Sequence, residues 1–372
     1  MINRILLGLG AVALSVSIGL AQAQKSSPAQ PASIPDLVFQ GKINDALKLA
    51  VKTPSALDAA WPTLMTAIDT QIVLRNLDKA QSSLAATRSF ADACEKSKQV
   101  KNIPRDAIQG RLLRLTGIRL NDQKEYAKAA EILKTALDLS KKANDRALEA
   151  GVHNNLGYAL QYQNQLAEAE KEYDTARQIA EELKDNLRAS SSNFNLGKVL
   201  LAEMKFEEAK AAFKRSAEQA RASTQFQIEA LAVMNQGNAA GQLDPKSSEA
   251  AQLWQEAAGK FEKLGDYLNA GRCYYFLAEN SGFKGDFGNT LALGESAAAL
   301  FDKSGDKEAL QRTYDFLGTI ATAMGMAEAA KNYARKSEEI AKQLAAQKEA
   351  AAKKEAAAKK EEPVKKDGAI KK

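Results

Sequence analysis

One histidine, His153, and two cysteines, Cys94 and Cys273, are the side chains with the widest chemical repertoire in this 372-residue chain. A metal centre built on imidazole needs several ligands close together, and a single histidine cannot supply a multi-histidine site. A nucleophilic cysteine needs an activating base, and no histidine stands near either thiol in the sequence. Carboxylates are abundant, as in Glu168, Glu170, Glu172, Glu207 and Glu208. Their spacing is that of a solvated helix face rather than of an acid–base pair. A glycine-rich phosphate loop would have to follow a strand, and the pattern contains no strands. The residues point to a chain that is not an enzyme and carries neither a cofactor nor a metal.

The chemistry that does recur is hydrogen bonding. Asn155, Asn195 and Asn235 recur at one fixed interval, each two positions before a glycine. An asparagine amide offers two donors and an acceptor, so it can pair with the backbone of an extended chain whatever that chain's sequence. Around this row lie Arg111, Arg114, Asn154, Tyr158, Lys198, Asn238, Arg272 and Tyr275, which could read side chains or a carboxylate. Leu115, Phe276 and Phe316 interrupt the row at its ends.

A repeat must position these residues. Gly117, Gly157, Gly197 and Gly237 keep the same interval; Ala278 arrives one position late, and Gly318 then returns to the interval. Tyr126, Leu166, Phe206 and Phe287 come nine positions after the small residue. Ala129, Ala169 and Ala209 come three later, and Leu133, Tyr173 and Phe213 four beyond those. Apolar offsets of three and four mark one face of a helix. Each unit therefore reads as two helices joined by a tight turn, near Gln163–Gln165 in one unit and Lys284–Asp286 in another. The small residues are expected to face Ala169 and its equivalents and to let the hairpin close. Glycine inside a helix costs about 1 kcal/mol relative to alanine, so its repetition implies a packing return. Asp145, Asp185, Asp266 and Asp306 each precede the next small residue by 12, with Asn144, Gly265 and Gly305 just before three of them. That is a left-handed C-terminal cap followed by an N-cap, with almost no linker.

The Leu-Gly pair at Leu156–Gly157, the later Ala169, then Tyr173 and Ala176 resemble the tetratricopeptide repeat. The repeat here is about 40 residues long, against about 34 in the usual form, similar to the longer variant of kinesin light chains and spindle-orientation scaffolds. The resemblance covers about residues 105–341, or about six repeats. It implies an all-α fold, a right-handed superhelical α-solenoid of antiparallel hairpins, whose first helices line a concave groove that takes a protein or peptide partner. Residues 36–104 look like degenerate versions of the same helices, with GKINDALKLA (41–50) and LRNLDKAQSSL (74–84) resembling second helices. One inserted residue near QLDPKSSEAAQLW shifts the fourth unit to Ala250 and Trp254 and leaves its turn open. His153, four residues before Gly157, takes the place of a buried bulky side chain. First helices packed about 10 Å apart, against an extended peptide rising about 3.3 Å per residue, would present one asparagine to roughly every third peptide residue.

Charge and the chain ends complete the expectation. The net charge is +6, but residues 342–372 hold ten lysines against five acids, while residues 24–341 are balanced at 41 of each sign. A nucleic-acid binder is expected to carry a basic stripe on its folded surface, so no nucleic-acid partner is expected. Residues 1–23 read as a signal peptide, with a basic start, an apolar stretch at Ile5–Leu20 and the Ala21-Gln22-Ala23 cleavage pattern. That stretch is shorter than the roughly 20 residues of a spanning helix, so no transmembrane anchor is expected after cleavage. Residues 24–35 form a Gln/Ser/Pro-rich linker, and the location is expected to be periplasmic or secreted. An oxidising compartment permits a disulfide, but Cys94 and Cys273 fall more than four repeats apart, beyond the ~7 Å reach of one. The Lys/Ala/Glu-rich tail from Lys342, with EAAAK at 349–353 and 355–359, reads as a partly helical rod ending near Pro363. It is either a solubilising extension or a tether to an anionic envelope surface.

Overall fold

The computed structural model describes residues 32–361, with side chains described to residue 350. The proposed signal peptide, most of the proline-containing linker and the chain beyond Glu361 lie outside the described residues. Within them every regular element is an α-helix. The chain divides into two compact units after Leu115.

The first unit holds α1 (Ile34–Phe39), α2 (Ile43–Lys52), α3 (Pro54–Val73), α4 (Leu77–Ser97) and the start of α5 (Arg105–Asp122). Its core includes Trp61 against Phe90, with ring centroids 5.2 Å apart. Asp69 is buried between two arginines. Arg111 Nη2 lies 2.6 Å from Asp69 Oδ2, and Arg114 Nη1 lies 3.2 Å from Asp69 Oδ1. This bond set ties the first half of α5 to α3. The division thus falls inside α5, ten residues past the start of the regular repeat expected at residue 105.

The second unit continues with α6 (Tyr126–Lys142), α7 (Arg146–Tyr162), α8 (Leu166–Glu182), α9 (Asn186–Ala202), α10 (Phe206–Ala222) and α11 (Phe226–Leu243). Then follow α12 (Ser248–Leu264), α13 (Tyr267–Phe283), α14 (Phe287–Ser304), α15 (Lys307–Ala323) and α16 (Ala327–Glu361). The arrangement is an α-solenoid of antiparallel hairpins, α7–α8, α9–α10 and onward, each packed on the next. Turns fall where the sequence places them, between Tyr162 and Leu166 and between Phe283 and Phe287.

The junctions show why the helices stop so regularly. Asn144, Gly265 and Gly305 all have positive φ, as do the less obvious Lys184 and Thr224. At the first of these, Asn144 N–H donates to the Lys141 carbonyl and Asp145 N–H to the Ser140 carbonyl. This is the reversal that satisfies the orphan carbonyls of a helix end. The next residue then starts the following helix: Asp145, Asp185, Asp266 and Asp306 accept from the backbone N–H groups of Leu148, Arg188, Asn269 and Ala309. Thr224 lacks the conformational freedom of glycine and is strained at φ 57°. The inserted residue of the fourth hairpin is absorbed in its turn, where Asp244 is extended and Ser247 caps α12. Buried Asn280 ties this irregular loop down by donating to the carbonyls of Pro245 (2.7 Å) and Ser247 (3.1 Å).

One packing expectation is corrected. The glycines do not face the alanines of the repeat register but the bulky residue four positions later. A Cβ on Gly157 would lie 2.9 Å from the Tyr173 ring, on Gly197 2.8 Å from Phe213, on Gly237 2.8 Å from Trp254, and on Gly117 2.6 Å from Leu133. The glycine is the socket for a large side chain, which explains why a costly helix residue is repeated. In the fifth hairpin the sizes change over. Ala278 replaces the glycine, Gly294 stands where the bulky residue would be, and Leu317 of α15 fills the space at Gly294.

The last helix, α16, has 35 residues where its neighbours have 17 or 18. It runs without a break through residue 342, where the lysine-rich composition begins.

Candidate functional site

Successive first helices α7, α9 and α11 touch one another, so residues in the same register come together along one face. Asn154, Asn155, Tyr158, Asn195, Lys198, Asn235 and Asn238 are all half-exposed there; Tyr275, half-exposed, and Arg272, exposed, lie on α13. Arg111 and Arg114 are not part of this face. They are 1% and 3% exposed, lie in the first unit and are engaged by Asp69. Repeat register alone gave them a groove position, but a buried carboxylate on a non-repeat helix takes their charge inward.

The asparagines do not form a row of three equivalent amides. Asn195 Nδ2 donates to Asn154 Oδ1 at 3.2 Å, bridging two hairpins. The Asn155 carbonyl accepts from Asn121 Nδ2 at 3.2 Å. Asn235 Nδ2 turns back to the Leu231 carbonyl at 2.8 Å. Asn238 donates to Asn235 Oδ1 and accepts from Trp254 Nε1 at 2.9 Å. Part of the hydrogen-bonding capacity thus orients the polar side chains, as a built surface requires.

Aromatic rings flank this polar stretch. Tyr158 lies 4.6 Å from Tyr162 and Tyr126 lies 5.1 Å from Tyr162, centroid to centroid. Burial, then the neighbouring Tyr162 hydroxyl, pushes the Tyr158 phenol up to about 12. At the other end Tyr275 packs 5.5 Å from Phe316, and Phe276 5.5 Å from Trp254. Lys198 Nζ lies 6.0 Å from the Phe194 ring centroid. Between α13, α14 and α15 is a cavity of about 230 Å³ lined by Arg272, Tyr275, Phe276, Phe301, Ala309, Arg312 and Thr313. Arg312 escaped the reading of the sequence, although it holds the register of Arg272 one unit later and the repeat alone could have found it.

The residues with catalytic repertoire sit elsewhere. His153 is buried, with Nδ1 2.5 Å from Glu172 Oε2 and Nε2 4.0 Å from Glu149 Oε1. The contact with Glu172 joins the two helices of one hairpin. Cys94 and Cys273 are free and buried. Burial pushes their thiols up to about 11 and about 12 respectively, the opposite of an activated nucleophile. No cluster of three or more His, Cys, Asp or Glu fit to hold a metal occurs among the described residues. No described helix is long and apolar enough to cross a membrane.

Residues 148–222, from α7 to the end of α10, match the family profile described as tetratricopeptide repeat. Residues 148–222 carry tetratricopeptide repeats. Among solved structures, a Signal Transduction ATPase with Numerous Domains protein with a tetratricopeptide repeat sensor, from Pyrococcus horikoshii, is 14% identical with a TM-score of 0.57. The match covers 87% of this chain and 52% of that one, so the chain spans about half the length of that protein. The apo form of RapI is 16% identical with a TM-score of 0.50, over 63% of this chain and 98% of that one. Kinesin light chain TPR-like repeats from Podosopora anserina are 14% identical with a TM-score of 0.46, over 53% and 96%. The first two likenesses concern the fold alone. A search of curated proteins gives no significant match. Within residues 148–222, α7 and α9 are the first helices of their repeats, and α11, α13 and α15 hold the same place in the hairpins that follow; the half-exposed register residues lie on these helices.

Proposed function

We propose that the chain is an exported tetratricopeptide scaffold that holds a protein or peptide partner along its first helices. The observation that carries this reading is the contact of α7, α9 and α11 with half-exposed polar and aromatic side chains in one register, continued in sequence register on α13. Those side chains are Asn154, Asn155 and Tyr158 on α7, Asn195 and Lys198 on α9, Asn235 and Asn238 on α11, and Arg272 and Tyr275 on α13. Solenoids lack a central pocket but offer an extended surface to peptides and partner helices. The sensor designation of the Pyrococcus relative agrees with such a role.

Changing Asn155, Asn195 and Asn235 together to alanine is expected to weaken partner binding at least tenfold. Three lost hydrogen bonds at about 0.5–1.5 kcal/mol each sum to more than the roughly 1.4 kcal/mol of one decade. The far-UV helix signal should stay unchanged. Isothermal titration with the captured partner measures this, and undiminished affinity would remove the groove from consideration.

Export is supported by the composition of residues 1–23. N-terminal sequencing of protein recovered from an expressing bacterium should begin at Gln24; a chain that still starts at Met1 would end the export reading. A second reading, a spacer or tether to an anionic envelope surface, is favoured by one observation, the continuation of α16 to Glu361. Truncation after residue 341 separates the two. The tether predicts loss from the envelope fraction, whereas the groove reading predicts unchanged partner affinity.

A further inference from the structure

The glycine sockets at Gly117, Gly157, Gly197 and Gly237 are filled, and the one at Gly318 is empty. The filling side chain follows its glycine by 16 positions at Leu133, Tyr173 and Phe213, and by 17 at Trp254. Sixteen positions after Gly318 stands Ala334, too small to fill anything. A Cβ on Gly318 would meet nothing nearer than Tyr333 Cβ at 3.7 Å and the Ala330 carbonyl at 3.9 Å. A cavity of about 460 Å³ lies there, lined in part by Tyr314, Gly318, Thr319, Ala330 and Ala334. Thr319 and Ala334 are exposed, so the socket is open to solvent. A second cavity, of about 410 Å³, is formed by the same two helices, α15 and α16, and is lined in part by Arg312, Ala341, Leu344 and Ala345. Leu344 stands half-exposed in it. The offsets among Ala330, Ala334, Ala341 and Ala345 are four, seven and four, which keeps them on one face of α16. A vacant hole and an apolar knob therefore share one surface, ten residues apart along α16, or about 15 Å at the helical rise.

We infer that this α15–α16 surface pairs with a second copy of the chain, Leu344 of each copy entering the Gly318 socket of the other. A two-fold axis perpendicular to the surface, midway between hole and knob, makes both insertions at once, as a self-complementary interface requires. The midpoint falls between Ser337 and Ala341. Both side chains are small, so two antiparallel α16 helices can approach closely there, since the distance between packed helices is set by the side chains at the contact. Leucine is the right size for the hole: Leu133 fills the socket at Gly117, and Leu317 fills the space at Gly294. Moving Leu344 out of water into an apolar socket supplies the driving force. The charges bordering the surface are already balanced within the chain. Glu338 pairs with Lys342 at 2.7 Å, Arg335 with Glu339 at 2.6 Å, and Glu308 with Lys348 at 3.7 Å. A foreign helix would have to bring a knob of its own, whereas this chain carries knob and hole together.

The pairing does not depend on the groove reading, and the triple asparagine variant should dimerise like the parent. Sedimentation equilibrium of the purified chain over a range of concentrations measures it. The expected result is a monomer–dimer equilibrium that salt barely moves, because balanced charges leave little to screen. Leu344→Ser, at a half-exposed position, should raise the dimer Kd at least tenfold, since each dimer loses two knobs. Ala334→Phe should raise it at least as much for the opposite reason. It fills the hole from within, as Phe213 fills the socket at Gly197, and should leave the melting temperature of the chain unchanged or higher. Cysteine cross-linking tests the geometry. Ala334→Cys mixed with Leu344→Cys should give a disulfide-linked dimer on oxidation, and neither variant alone should, because like positions stand beyond the ~7 Å reach of a disulfide. The native Cys94 and Cys273 are buried and do not compete. A chain that stays monomeric at every concentration would overturn the inference. So would a dimer indifferent to both Leu344→Ser and Ala334→Phe, or single cysteine variants that cross-link as well as the mixture. A monomer that loses affinity for a partner protein on Ala334→Phe would overturn it too, and would hand the hole to a foreign helix.

Discussion

Replacing Phe213 by alanine is expected to lower the stability of the second unit by about 3–5 kcal/mol, the usual cost of emptying a large aromatic site. Phe213 is completely buried. It fills the socket left by Gly197, and its ring lies 5.8 Å from that of Phe194 in an edge-on arrangement. The cost should sit near the upper end because the socket cannot collapse: the facing wall is a glycine backbone with nothing to move inward. A complementary change tests the same socket from the other side. Gly197→Ala would normally gain about 1 kcal/mol of helix propensity, but its Cβ would meet the ring at 2.8 Å. Overpacking of this kind costs about 1–3 kcal/mol, so the net sign should be unfavourable. Chemical denaturation followed by circular dichroism measures both. A loss below about 1 kcal/mol for Phe213→Ala, well under the range for such truncations, would show that the socket is not what closes the hairpin.

Asp69→Ala is expected to cost about 3–5 kcal/mol in the first unit, because it removes the carboxylate that balances two buried guanidinium groups. Desolvating a charge is repaid only while its partner stays in place. Asp69, Arg111 and Arg114 are each 3% exposed or less. The companion variant, Asp69→Leu with Arg111→Met and Arg114→Met, removes all three charges and should restore most of the loss. Buried ion clusters replaced by apolar side chains are often neutral or stabilising. Equal destabilisation in both variants, read from the same denaturation curves, would mean that lost volume, not stranded charge, sets the cost. Neither variant should disturb the partner binding proposed for the second unit, since these arginines face Asp69.

The sequence made the hairpins legible because their signals are local and periodic. Asp145 and Asp185 announce helix starts through chemistry confined to three residues, and Asn144, Gly265 and Gly305 announce reversals in the same way. The partner of each glycine was not legible. Ala169 and Tyr173 lie on one helix face four residues apart, and only the packing of the two helices decides which of them enters the socket at Gly157. Periodicity also misled at Arg111 and Arg114. Both hold a groove register, but their partner Asp69 is 42 and 45 residues away on a helix outside the regular repeat. Such a contact leaves no periodic trace. The half-exposed asparagines lie on α7, α9 and α11. Their mutual bonds, such as Asn195 to Asn154, depend on side-chain rotamers that spacing does not encode. Arg312 is the converse case, a residue the spacing could have supplied and that mattered only once a cavity was seen beside it.

The helices of the second unit pack mainly on their neighbours in the chain or on the next but one. Such an object behaves like a stack of hinged plates rather than a solid block. Small rotations at each reversal add along the stack, so the face formed by α7, α9, α11, α13 and α15 can widen or tighten without breaking any one hairpin. A ligand spanning several of them would then be gripped by the curvature of the stack as well as by its contacts. Loss of one plate would slacken that grip while leaving distant plates intact.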